Sequence, residues 1–408
     1  MTERLYYQDA YLRQFQAIVV ELLSWQAQPA VVLKRSAFYP TGGGQPHDTG
    51  RLDGVPVVEV IEREADGAVI HVLERLLPRD DPAGQVVGEV DWTRRFDHMQ
   101  QHSGQHILSR AAERLFDAAT VGFHLGKQSC TIDLDRTPLD DGPIGQLEAE
   151  ANRIVFENRP VTARFVNREQ LNGLPLRKPP KVSGPIRIVE VQDFDWSPCG
   201  GTHVRASGEV GLIKIVRAER RGSETRLEFL CGGRALADYD LKNRLLLSLA
   251  SQLSVGYWQL PEVVRRLEEE ARAQRKLALL AQEQLLAFEA ADLARQAEPL
   301  GEFGLVSRVW QGKNLEEARR LARQLSAAHG CVALLGLAGE KGHLIFSAPP
   351  GAPYDLRPAL RRACAIIGGG GGGRADLAQG GGPVGEWPAV QAALTVAADI
   401  IRCDEAAR

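Results

Sequence analysis

Two short stretches hold the residues best suited to chemistry. Residues 102 to 106 read HSGQH and residues 199 to 203 read CGGTH, so His102, His106, Cys199 and His203 form two ligand pairs of equal internal spacing. Histidines four apart on a helix project from one face a turn apart, which lets both imidazoles reach one ion. For the second pair, Gly200 and Gly201 are expected to permit the backbone geometry that folds Cys199 back toward His203. An H-x-x-x-H pair alone is often no more than two solvent-exposed histidines, but joined to C-x-x-x-H it makes a soft donor set that favours Zn2+ over hard cations. A metalloprotease of the H-E-x-x-H kind is excluded, because Ser103 stands where its glutamate base would be. Four protein ligands fill a tetrahedral zinc, the structural pattern, whereas catalytic zinc keeps an open position. Both roles remain open, and no residue is identified as a general base.

The surrounding pattern indicates which elements position these groups. Runs such as AIVVELLSW, AVVLKRSAFY and VPVVEVIE, separated by turn residues, predict a small antiparallel barrel or sandwich over 1–91. Helical periodicity through Met99, Ile107, Leu108, Ala111 and Leu115 places the HSGQH pair on a helix of about 94–117. A second helix and several strands make residues 92–234 an α+β domain. A helical stretch follows over 235–299, ending in a long helix from Pro261. In it an a/d register runs through Leu260, Val264, Leu267, Ala271, Gln274, Ala278, Ala281, Leu285 and Phe288. Alanines and a glutamine weaken that register, and it fits either packing on its own chain or the seam of a homodimer. Residues 300–408 alternate strand and helix patterns, an α/β signature.

Two glycine-rich stretches stand out. SAFYPTGGGQPHDTG offers close backbone approach at Gly43 and Gly44, hydroxyls at Ser36 and Thr41, and the amide of Gln45, a wall for a small polar ligand as well as a turn. AIIGGGGGGRADLAQGGG reads as a linker by glycine count, yet CAIIG resembles a buried strand and RADLAQ a turn of helix. Free amides beside Arg374 can also bind phosphate.

With 408 residues, the chain is long enough for two to four domains. Its composition, 44% hydrophobic and 25% charged, is that of a soluble protein, and neither a membrane span nor a signal peptide is apparent. The six scattered cysteines fit a reducing compartment, so a cytoplasmic location is expected. A net charge of −3 gives no global attraction to nucleic acid, which leaves local basic patches. Arg164, Arg168, Arg177, Lys178, Lys181, Arg205, Lys214, Arg217, Arg220 and Arg221 are candidates.

FYPTGGGQPHDTG, HSGQH, CGGTHV and GGGGGGRADLAQGGG, in that order, closely resemble the free-standing alanyl-tRNA editing proteins of the AlaX type, long form. The resemblance covers nearly the whole chain. It implies a fold of the α+β class: an N-terminal β-barrel, an α+β zinc editing domain, a long helical linker and a C-terminal α/β DHHA1-like domain. The implied activity is hydrolysis of serine, and also glycine, wrongly esterified to alanine tRNA, with mischarged tRNA(Ala) as the partner. By position, zinc falls to His102, His106, Cys199 and His203, and the pocket wall to Gly43, Gly44 and Gln45. Arg217, Arg220, Arg221 and Arg374 are expected to meet tRNA. A chain that opens on the barrel would act in trans.

Three positions depart from the family pattern. Ser36 replaces a threonine that can recognise a serine hydroxyl, Ser109 stands where a glutamine is often found, and Arg374-Ala375-Asp376 replaces R-P-D. Two alternatives follow: a zinc-stabilised tRNA-binding protein without hydrolytic activity, or an editor of another mischarged tRNA.

Overall fold

The computed structural model describes residues 1–78, 84–136, 140–171, 173–177 and 186–408. The chain divides into two compact units, Met1–Tyr257 and Trp258–Arg408, the break falling inside the expected 235–299 helical linker.

In the first unit, strand Gln14–Trp25 buries alternate residues, beginning with Phe15, Ala17 and Val19, as a strand with one face on a core must. It pairs with Gln28–Leu33 and Gln85–Val90, and the ring continues through Ala68–Leu73, Val55–Arg63 and Gly50–Leu52 into a closed six-stranded barrel. Gly88 is required there, since a Cβ would lie 2.4 Å from the Phe15 ring.

The helix Trp92–Phe116 follows the last barrel strand directly, capped by Asp91, whose side chain accepts from Arg94 N–H. It packs with Asp141–Phe156 and with a four-stranded antiparallel sheet ordered Ile213–Arg221, Glu224–Cys231, Cys130–Leu134, Thr120–Leu125. A three-stranded sheet, Val161–Val166, Ile186–Val191 and Asp195–Pro198, leads into the CGGTH turn. The helix is seated by two features of QQHSGQH. Gln101 makes paired hydrogen bonds with the backbone of Cys231, each 2.9 Å, and Gly104 passes so close that a Cβ would lie 2.3 Å from the Cys231 sulfur.

In the second unit, the long helix Leu260–Arg295 buries Leu286 and Ala290 against Val306 and Leu321. Of the expected a/d register Leu260 is also buried, whereas Val264, Leu267, Leu285 and Phe288 are exposed. A six-stranded sheet runs in the order Glu298–Leu300, Phe303–Gln311, Cys331–Ala338, Gly342–Ser347, Leu377–Gly382, Gly370–Gly373. Its parallel pair, Phe303–Gln311 with Cys331–Ala338, is joined through helix Leu315–His329.

Three local expectations fail here. The CAIIG segment ends a helix, Leu356–Ile366, instead of forming a strand. The glycine run and RADLAQ form a strand hairpin, neither a linker nor a helix. The chain continues past the glycines into a helix, Trp387–Ala406. The physical reason is close approach: a Cβ on Gly380 would lie 2.3 Å from the Cys364 sulfur, and one on Gly371 2.6 Å from the Gln379 carbonyl oxygen. Bare strands let the helix lie on the hairpin. Among the described residues no helix is long and apolar enough to cross a membrane.

Candidate metal centre

His102 and His106 project from one face of the helix Trp92–Phe116, and Cys199 and His203 arrive on the turn after Asp195–Pro198. One donor atom from each lies within 4.8 Å of every other. The Cys199 sulfur is 3.4 Å from His102 Nε2 and 3.3 Å from His203 Nε2. His102, His106 and His203 are buried and Cys199 half-buried.

Each imidazole has its other nitrogen engaged. His102 Nδ1 lies 2.8 Å from Gln45 Oε1, His106 Nδ1 3.1 Å from Asp195 Oδ2, and His203 Nδ1 3.0 Å from Ser103 Oγ. Gln45 Oε1 and the carboxylate can only accept, so Nδ1 carries the proton in His102 and His106, leaving Nε2 free to ligate. Ser103 Oγ also accepts from Val204 N–H at 3.2 Å, tying the helix to the turn. Three inward nitrogens and one thiolate fit zinc by donor chemistry.

The electrostatics agree with a site for a cation. Burial would raise the Cys199 thiol, yet the facing His102 and His203 hold it well below its usual range. Burial would lower His106, but its bonds to Asp195 and Cys199 hold it up at about 9. His203, with burial dominant, is pushed down to about 3. Asp195 stays low against its burial because His106 donates to it.

The barrel contributes directly. In the GGGQ segment Gly42 and Gln45 exchange backbone hydrogen bonds of 3.1 and 2.9 Å, and Gly43 and Gly44 adopt φ of 56° and 83°, which favour glycine. At Gly44 a Cβ would also lie 2.9 Å from the Phe123 ring. The turn sends Gln45 to the metal cluster, where its Nε2 donates to Thr202 Oγ1 at 2.8 Å and its Oε1 accepts from Thr202 N–H at 3.1 Å. Behind it, Asp48 and Arg95 form an ion pair with both side chains fully buried, which pins this segment to the helix.

Other expected site residues lie elsewhere. Ser36 is fully buried; its hydroxyl is 2.7 Å from His71 Nε2 and accepts from Phe38 N–H at 3.1 Å. Because His71 Nδ1 faces the Val31 carbonyl, Nε2 is the acceptor and Ser36 the donor. Its proton and one acceptor lone pair are thus engaged inside the barrel, and the side chain is fully buried. Thr41 is exposed, accepting from His47 N–H at 3.2 Å. The turn through Gly200 and Gly201 folds the Cys199 sulfur back to 3.3 Å from His203 Nε2, as expected, without a left-handed φ at either glycine. Gly201 is needed for space, since a Cβ would lie 2.2 Å from the His102 ring. Cys130 and Cys231 are buried thiols outside the cluster.

Among the basic candidates, Arg217, Arg220 and Arg221 are exposed on strand Ile213–Arg221, with Arg217 paired to Glu219 at 2.5 Å. Arg177 turns inward, donating to Ser197 at 3.1 Å and lying 3.4 Å from Asp195 Oδ1. Lys178, Lys181 and the side chain of Arg168 lie outside the described residues. In the second unit, Arg319, Arg320, Arg323 and Arg374 line a pocket of about 380 Å³ beside the glycine hairpin. Sequence reasoning missed Ser103, Asp195 and Thr202, although each sits within or beside the two motifs.

Comparison with known proteins defines the class. The second additional domain of threonyl and alanyl tRNA synthetases matches residues 186–228, and the DHHA1 domain matches 301–402. The protein therefore joins a synthetase-type editing module to a DHHA1 domain. The alanyl-tRNA editing protein AlaX-L of Pyrococcus horikoshii is 32% identical over 93% of this chain and 94% of the relative. The alanyl-tRNA editing protein Aarsd1-A of Xenopus laevis is 32% identical over 86% of this chain and 84% of the relative. An alanine–tRNA ligase of Pyrococcus furiosus is 32% identical over 93% of this chain, which spans only 42% of the ligase. The chain belongs to the alanyl-tRNA editing protein family, whose members are deacylating hydrolases.

Proposed function

We propose that the protein is a trans-editing hydrolase that removes serine, and also glycine, from mischarged tRNA(Ala), with Zn2+ held by His102, His106, Cys199 and His203. The observation that carries the proposal is the convergence of these four donors in a family of editing proteins. The substrate is an ester between an aminoacyl group and a ribose hydroxyl, so it needs a placed water and stabilisation of the carbonyl oxygen more than a strong nucleophile. Zinc, when bound, supplies Lewis acidity and a fixed positive charge. Gln45, Asp195 and Ser103 orient the ligands. The glycine turn at Gly43 and Gly44, with the exposed Thr41 hydroxyl, forms the wall toward the aminoacyl group. Arg217, Arg220 and Arg221 in the first unit, and the arginine-lined pocket at Arg374 in the second, supply phosphate contacts.

The filled four-donor set also suits a purely structural ion, which favours the second reading, a tRNA-binding protein without hydrolytic activity. The test incubates the zinc-loaded protein with seryl-, glycyl- and alanyl-tRNA(Ala). Release of serine and glycine with alanine retained supports the proposal; protection of all three esters rejects it in favour of the binder.

A further inference from the structure

We infer that Arg187 is a positioning residue that clamps the Cys199–Gly201 turn in its metal-holding shape. It meets this turn three times. Its carbonyl accepts from Cys199 N–H at 3.0 Å, and its Nη1 donates to the Cys199 carbonyl at 2.9 Å and to the Gly201 carbonyl at 2.8 Å. The residue is only 8% exposed, and its guanidinium lies 5.2 Å from the centre of the Tyr7 ring.

The need for such a clamp comes from the glycines. Cys-Gly-Gly has more backbone freedom than almost any tripeptide, and neither glycine is held in a left-handed well that would define the turn. Gly201 must stay glycine because His102 and Gln45 leave no room for a Cβ. The turn therefore cannot gain rigidity from its own side chains, and a planar donor spanning two carbonyls supplies it from outside.

Charge points the same way. Among the described residues no carboxylate pairs with Arg187, and its Nε is buried without a hydrogen-bond partner. A buried cation lacking a counter-charge is costly. The neighbouring Cys199 sulfur is anionic when it ligates a metal, and the guanidinium, bonded to the Cys199 carbonyl, brings a positive charge beside that residue. It acts through the Cys199–Gly201 turn to which it is bonded.

This inference rests on the metal reading above, and the experiment separates the two. Wild-type protein, Arg187→Met and Arg187→Lys are stripped of metal, checked for folding by circular dichroism, and titrated with zinc against a chromophoric chelator. Cobalt-loaded samples report the thiolate-to-metal absorption band. In Arg187→Met the zinc Kd should rise roughly 10–100-fold, the usual effect of losing a partner that orients a ligand. Arg187→Lys should show a smaller rise than Arg187→Met, because an ammonium keeps the positive charge and can still donate to a carbonyl, though without the fixed geometry of the guanidinium. The cobalt–thiolate band should weaken in both. If Arg187→Met does not fold, Arg187→Lys alone decides. Folded variants with a Kd within about twofold of wild type and an unchanged band overturn the clamp but leave the metal centre standing. A wild type that takes up no zinc overturns the metal centre itself.

Discussion

Gln45 Oε1 lies 2.8 Å from His102 Nδ1, so a turn of the barrel determines which nitrogen of a ligand on the following helix faces the metal position. The same amide holds Thr202 of the CGGTH turn through two further bonds of 2.8 and 3.1 Å. One side chain thus joins the barrel to both ligand-bearing elements. We expect Gln45→Ala to weaken zinc binding by roughly 10–100-fold, with loss of the His102 tautomer preference. A competition titration with a chromophoric chelator reads this. Unchanged affinity would confine Gln45 to the wall of the pocket.

The four ligands were legible because metal chemistry restricts residue type and spacing together, and a helix makes i and i+4 coincide on one face. Ser103 and Asp195 were not, since hydroxyls and carboxylates are common and only their direction distinguishes them. The glycine hairpin was misread for a related reason. Composition alone signals freedom, whereas Gly371 and Gly380 are bare because Cys364 and Gln379 crowd them, a contact made only in three dimensions. Ser36 stands at a position where the family commonly has threonine, but its hydroxyl is engaged by His71, whose burial in the barrel has no sequence signature.

That bond leads to a second expectation. Ser36→Ala leaves the buried His71 Nε2 without its donor, which should cost about 1–3 kcal/mol of stability. Since the hydroxyl is fully buried and its proton is given to His71, deacylation of seryl- and glycyl-tRNA(Ala) should fall together, if at all. Thermal unfolding beside the two rates checks this. A loss confined to the serine substrate would restore Ser36 as the selector.

Acid should destabilise the zinc-loaded protein in a defined window. Burial lowers both His71 and His98 to about 4, and the Nδ1 of His98 has no partner. In the unfolded chain both titrate near 6.5, so below that pH the unfolded state binds more protons than the folded one. Their stabilising contribution is complete above pH 6.5 and is lost as pH falls toward 4, on the order of 3 kcal/mol for the fully buried His71. Denaturant melts from pH 7 to 4 should show the slope, and His71→Gln should flatten its own share. An unchanged slope in that variant would assign the acid loss to other groups.

Arg320 and Arg323 lie on the exposed face of helix Leu315–His329, line the pocket beside Gly372, Gly373 and Arg374, and form no ion pair among the described residues. Arg319, in contrast, is already engaged by Gln379 at 2.8 Å. Unpaired guanidiniums converging on one pocket suit a phosphodiester, and each phosphate contact contributes about one unit to the slope of log affinity against log salt. The double variant Arg320→Ala/Arg323→Ala should therefore bind tRNA(Ala) more weakly and with a slope shallower by about two, while deacylation at saturating substrate is retained. Binding titrations at several salt concentrations measure both quantities. Equal affinity and slope in the variant would remove this pocket from the tRNA path and leave the phosphate contacts to Arg217, Arg220 and Arg221.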